Sequence, residues 1–74
     1  MRVAIELFGQ LSPSLPRKQE LDLPCQAAVR DAARALGISP EQIGLITING
    51  VQSELEDILP PDCRLCFFPH VSGG

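Results

Sequence analysis

Apolar and polar positions alternate, then recur at helical spacing, then alternate again along this chain of 74 residues. Val3, Ile5 and Leu7 share one side of a period-two run, with Ala4, Glu6 and Phe8 on the other. That pattern predicts a strand with one strongly apolar face, closing at Gly9 and lying at the centre of a sheet. Residues 10–16 hold two prolines and two serines and read as a turn or short loop. Residues 17–23 resume as a second strand with Leu21 and Leu23 on one face; its polar residues suggest an exposed edge, and Pro24 stops it. The period then changes. Val29, Ala32, Ala33 and Leu36 fall at i, i+3, i+4 and i+7 while Arg30, Asp31 and Arg34 face away, which predicts one amphipathic helix over residues 27–36. Gly37 stands where a left-handed C-terminal cap belongs. Ser39-Pro40-Glu41-Gln42 combines a capping residue, a first-turn proline and a Gln three after the cap, and predicts one further helical turn. Residues 45–48 are strand-like, Asn49-Gly50 is a strong turn signal, and Val51 starts a short return. Residues 54–59 form a connector, Pro60-Pro61-Asp62 a turn, and residues 63–68 the last strand.

Strand, strand, helix, strand, short strand, strand is an α+β order, and a helix crossing one face of a mixed sheet makes it β-grasp (ubiquitin-like) in type. First and last strands lying parallel at the centre would set the two chain ends at opposite ends of the molecule. The reading is a single domain over residues 1–74, with 69–74 as a flexible C-terminal tail. A domain of this size buries only about 60% of its unfolded surface and has no room for a conventional active-site cleft, which favours a binding module or carrier over a stand-alone enzyme.

Charge and cysteine content narrow the class. The net charge is −3 and the six Lys and Arg residues are scattered, so no basic stripe exists to hold a nucleic acid backbone. The amino-terminal residues run into Glu6 instead of a long apolar segment, and no stretch reaches the length of a membrane span; a soluble, cytoplasmic protein is expected. Three cysteines are too few for a disulfide scaffold and read as reduced thiols. Cys63 and Cys66 are formally C-x-x-C, yet on a strand they point to opposite faces about 10 Å apart along the axis, beyond ligation or a disulfide. With no second pair and no phosphate loop, neither metal, ferredoxin-type cluster nor bound cofactor is expected.

The remaining signal is the end of the chain, Phe67-Phe68-Pro69-His70-Val71-Ser72-Gly73-Gly74. Two terminal glycines often mean no more than a frayed end. They also make a thread without Cβ atoms, thin enough to enter a narrow passage in a partner and ending in a carboxylate. Because strand neighbours face opposite sides, one of Phe67 and Phe68 should enter the core and the other lie exposed as an interface anchor. His70 lacks an orienting carboxylate and reads as a contact residue, not a general base.

Leu7-Phe8-Gly9-Gln10-Leu11, the helix from Val29-Arg30-Asp31 to Ala35-Leu36-Gly37, Ile48-Asn49-Gly50-Val51, Asp57-Ile58-Leu59 and the Phe67-to-Gly74 end together resemble the ubiquitin-like sulfur-carrier family. That family contains the small subunit of molybdopterin synthase (the MoaD type) and the thiazole-synthesis carrier (the ThiS type). The likeness runs the whole length, and the Phe67-Phe68-Pro69 lead tilts it toward the MoaD type. Three positions depart from the pattern: His70 replaces a frequent second proline, Ala28 a helix-capping Thr or Ser, and Pro60-Pro61-Asp62 a commoner Asp-Gly turn. The missing cap is expected to cost roughly 1 kcal/mol. The resemblance implies that Gly74 is adenylated and converted to a thiocarboxylate, with Gly73 allowing close approach of the partner. It also implies an adenylating, ubiquitin-activating-like partner enzyme that uses ATP, and the large subunit of molybdopterin synthase. Phe67, Phe68, Pro69, His70, Val71 and Ser72 are the expected partner contacts, the chain itself being non-catalytic. A thiazole-pathway or other sulfur-transfer carrier, or a protein modifier conjugated through Gly74, would use the same end.

Overall fold

The computed structural model describes residues 1–11 and 13–70. Five strands form one mixed sheet: β1 (Arg2–Leu7), β2 (Lys18–Asp22), β3 (Ile43–Ile48), β4 (Val51–Ser53) and β5 (Arg64–Pro69), in the order β2-β1-β5-β3-β4. Among the described residues a single α-helix, α1 (Val29–Leu36), and a 3-10 turn at Pro40–Gln42 lie between β2 and β3. This is the expected β-grasp. Strands β1 and β5 run parallel, and every other pairing is antiparallel. The centre falls on β5, third of the five strands, with β1 beside it. The chain start and Pro69 therefore lie at opposite ends of the sheet, and β2 takes the edge that its polar residues suggest.

One face carries the core. Val3, Ile5 and Leu7 of β1, Ile46 and Ile48 of β3, and Leu65 and Phe67 of β5 pack with Val29, Ala32, Ala33 and Leu36 of α1. The small alanines let so short a helix lie close to the sheet, and its stability comes from that packing. Its C-terminus closes as a Schellman motif: Gly37 at φ 74° donates to the Arg34 carbonyl at 3.1 Å, and Ile38 N–H to the Ala33 carbonyl at 2.9 Å. Asn49 and Gly50, both at positive φ, make the two-residue β3–β4 turn.

The helix begins two residues later than its apolar pattern suggests. Ala27 and Ala28 are engaged elsewhere, Ala28 bridging to Ile58 and the Ala27 carbonyl accepting the Leu59 N–H at 2.8 Å. The expected cost of a missing cap is corrected by the same connector. Val29 N–H donates to the Asp57 carbonyl at 3.0 Å and Arg30 N–H to the Leu55 carbonyl at 2.9 Å, while Asp31 Oδ2 accepts the Ala28 N–H at 2.9 Å. Backbone carbonyls supply what a Ser or Thr side chain would have given. Among the described residues, no helix is long and apolar enough to cross a membrane.

Candidate functional site

Strand β5 delivers the chain from the core to the rim of the sheet, and alternation along it decides what each residue can do. Phe67 is fully buried. Its side chain is therefore unavailable as a partner contact, which corrects its place among the expected interface residues. Phe68 turns to the face opposite α1 and is half-buried, its ring stacked on Phe8 with centroids 4.4 Å apart and planes 9° from parallel. The Phe8 N–H donates to the Phe67 carbonyl at 3.0 Å, carrying the β1–β5 pairing past the end of β1 and bringing the rings together.

Pro69, expected to open the tail, belongs to the strand and pairs with Ile43. Its partner strand starts earlier than its β-branched run suggested, and the register shifts between Ile43 and Leu45, leaving Gly44 opposite the Pro69–His70 backbone. His70 is exposed, with Nε2 2.9 Å from the Glu41 carbonyl oxygen of the 3-10 turn. A carbonyl only accepts, so in this contact Nε2 is the donor. Gly44, Leu45, Phe68, Pro69 and His70 line an open cleft of about 370 Å³ beside this exit. Val71, Ser72, Gly73 and Gly74 lie outside the described residues.

Toward the other end of the same face the character becomes ionic. Arg64 pairs with Glu6 across β1 and β5, and this hydrogen bond, reinforced by charge attraction, holds the guanidinium above its ordinary value. Lys18 and Glu20 of β2 line a cavity of about 430 Å³ with this pair. The outer face thus grades from charged at Arg64 to aromatic at Phe68, next to the tail.

The two C-x-x-C cysteines separate as strand geometry requires. Cys63 lies within the core cluster, whereas Cys66 is buried on the opposite face, paired in register with Glu6. Burial pushes the Cys63 thiol up, with the Asp62 charge adding to the rise, so it is a poor nucleophile. Cys25 is exposed. Among the described residues, no group of three or more His, Cys, Asp or Glu side chains is placed to hold a metal ion.

Reading the sequence missed Gly44, Leu45, Phe8 and Glu41 as parts of this site. Gly44 carried a signal, since an isolated glycine beside a strand run often marks a close backbone approach. Glu41 carried none, because only its backbone carbonyl takes part.

The backbone superposes on known structures. It is similar to SAMP1 from Haloferax volcanii with a TM-score of 0.80 at 25% sequence identity, over 100% of both chains. It is likewise similar to the H. volcanii small archaeal modifier protein 1 structure, with a TM-score of 0.78 at 23% identity over 95% of this chain and 98% of that one, a likeness of fold. No curated protein matches the sequence. The model of the ThiS family matches residues 5–74, from within β1 through the diglycine, and the chain belongs to the ThiS family.

Proposed function

We propose that this protein is a sulfur carrier whose Gly74 carboxylate is converted to a thiocarboxylate, and that it serves as the small subunit of a molybdopterin synthase. The observation that supports this is where β5 ends: the central strand brings Pro69 and His70 to the sheet rim beside the half-buried Phe68, and the sequence continues Val71-Ser72-Gly73-Gly74. The Phe67-Phe68-Pro69 lead favours the molybdopterin branch over the thiazole branch.

A carboxylate is a poor electrophile and needs activation. In the proposed reaction a Gly74 oxygen attacks the α-phosphorus of ATP in a partner enzyme, forming an acyl-adenylate and releasing pyrophosphate. Hydrosulfide supplied on the partner side then attacks the carbonyl carbon, AMP leaves, the S–H proton is lost, and a thiocarboxylate remains. Ionised at neutral pH, it is a soft nucleophile able to attack a substrate carbon in a second partner. Gly74 holds the reacting atoms and Gly73 lets the partner backbone close around the chain. Acid, base and the nucleotide site come from the partners, the adenylating enzyme first and the large synthase subunit second. Phe68, with Pro69, His70, Val71 and Ser72, is the contact this chain offers them.

The test is chain length. Adding or deleting one residue at Gly74 displaces the carboxylate by about 3.5 Å, far outside the tolerance of in-line attack. Intact-mass measurement after incubation with the cognate activating enzyme, ATP and a sulfur donor should show one oxygen replaced by sulfur in the unaltered chain and no change in the extended one. Equal thiolation of both would overturn the proposal.

A second reading, protein modification through Gly74, draws support from the likeness to SAMP1 at 25% identity. It predicts Gly74 joined to lysine amines of host proteins, detectable as branched peptides after proteolysis. Co-purification from the host separates the sulfur pathways: a molybdopterin synthase large subunit for the first, a thiazole synthase for its alternative.

A further inference from the structure

The last two described residues sit in a slot whose walls are glycines. A Cβ added to Gly44 would stand 2.7 Å from the Pro69 carbonyl oxygen, 2.8 Å from His70 Cα and 2.9 Å from His70 N. Gly44 does not have a positive φ, so its missing side chain serves clearance and not backbone conformation. On the other side, a Cβ on Gly9 would stand 2.5 Å from Pro69 Cγ. Beyond the slot, His70 Nε2–H reaches the Glu41 carbonyl at 2.9 Å, a partner 29 positions away in sequence. Three separate elements therefore meet the chain where it leaves the domain: the end of β1, the start of β3 and the 3-10 turn.

A surface hydrogen bond needs no such arrangement. Pro69 cannot donate from its backbone nitrogen, so strand pairing weakens at this point, and an unheld chain would pivot about residue 69. The glycines remove sideways freedom and the imidazole fixes the next residue against the turn. We infer that His70 is a positioning residue: with Gly9 and Gly44 it forms a socket that fixes the chain at residue 70, beside the Ser39–Gln42 turn and at the border of the cleft lined by Leu45 and Phe68. This rests on the carrier reading for its use, because a tail that must thread a passage in a partner gains from a fixed point of departure. Preorganisation lowers the ordering cost at binding and acts on KM more than on kcat.

The experiment compares the unaltered chain with His70→Ala, His70→Gln and Gly44→Ala. Gln keeps an N–H donor at comparable reach; Ala at position 44 obstructs the slot without touching His70 chemistry. Backbone ¹⁵N relaxation at residue 70 and the ¹⁵N signature of the imidazole tautomer read the socket directly. Thiolation kinetics with the cognate activating enzyme, ATP and a sulfur donor read its use. The unaltered chain should show the Nε2–H tautomer and an ordered residue 70. His70→Ala should lose that order and raise KM by roughly three- to tenfold with kcat little changed, and His70→Gln should recover most of both. Gly44→Ala should disorder residue 70 even though His70 is intact. If residue 70 is equally ordered in His70→Ala, the socket is overturned whatever the enzyme assay gives. If order is lost and KM holds, its role in transfer is overturned. If the unaltered chain is not thiolated at all, the carrier reading fails, and the relaxation data alone decide the socket.

Discussion

Truncating Phe67 to Ala removes a fully buried ring from the heart of the core and should cost about 3–5 kcal/mol of stability. Its neighbour should behave differently. Phe68→Ala loses the stack on Phe8, an interaction of about 0.5–1.5 kcal/mol beyond the area it covers, so the fold should survive while the complex with the activating enzyme weakens. Urea denaturation and titration calorimetry on the two variants make the comparison; equal losses in both measurements would remove Phe68 as an anchor. Cys63 gives a prediction in pH. Burial holds its thiol above the ordinary range, so the folded chain resists ionisation there and the unfolded chain does not. Its contribution is fully present below the ordinary thiol pKa and is lost as pH rises through the raised one. The fall in urea midpoint between about pH 7 and about pH 10 should be larger for the natural chain than for Cys63→Ala.

At the scale of elements, the helix start is the instructive case. A side-chain cap normally serves the N–H groups of the second and third helical residues, here Arg30 and Asp31. Arg30 already donates to the Leu55 carbonyl and Asp31 to the Ala28 carbonyl at 3.0 Å. Ala28→Ser should therefore change stability by no more than about 0.5 kcal/mol instead of the gain of about 1 kcal/mol that an empty cap position promises. Thermal unfolding of the variant decides it. The connector that replaces the cap is itself fixed, because Asp57 Oδ2 accepts the Glu54 N–H at 2.8 Å and holds the turn that presents the Leu55 and Asp57 carbonyls.

Across the whole molecule, the parallel β1–β5 pair joins segments from the two ends of the chain, and the Glu6–Arg64 contact spans 58 positions. Glu6 lies mostly out of water, its side chain 12% exposed, whereas Arg64 reaches into solvent. Removing the arginine leaves the carboxylate without its partner in a place where water compensates poorly. Arg64→Met should lower the urea midpoint, and combining it with Glu6→Met should recover most of the loss; a double variant no better than the single one would contradict this account.

The kinds of element and their order were legible in the sequence, because a period of two in Val3-Ile5-Leu7 and the 3.6-residue spacing of Val29 to Leu36 are local properties of the backbone. So were the Asn49-Gly50 turn and the Gly37 cap, each fixed by the φ its residue must adopt. The diglycine and its aromatic lead are likewise plain in the sequence, and the proposed carrier role rests on them. Tertiary structure decided what depends on partners far along the chain. It chose Phe67 over Phe68 for the core, gave the helix start to carbonyls of residues 55 and 57, and carried β5 through Pro69. It also gathered Gly9, Gly44 and Glu41 around the tail's departure. None of these last three has a side chain that takes part; what matters is clearance at two positions and a backbone carbonyl at the third, and a sequence pattern can mark a glycine but not what will lie against it.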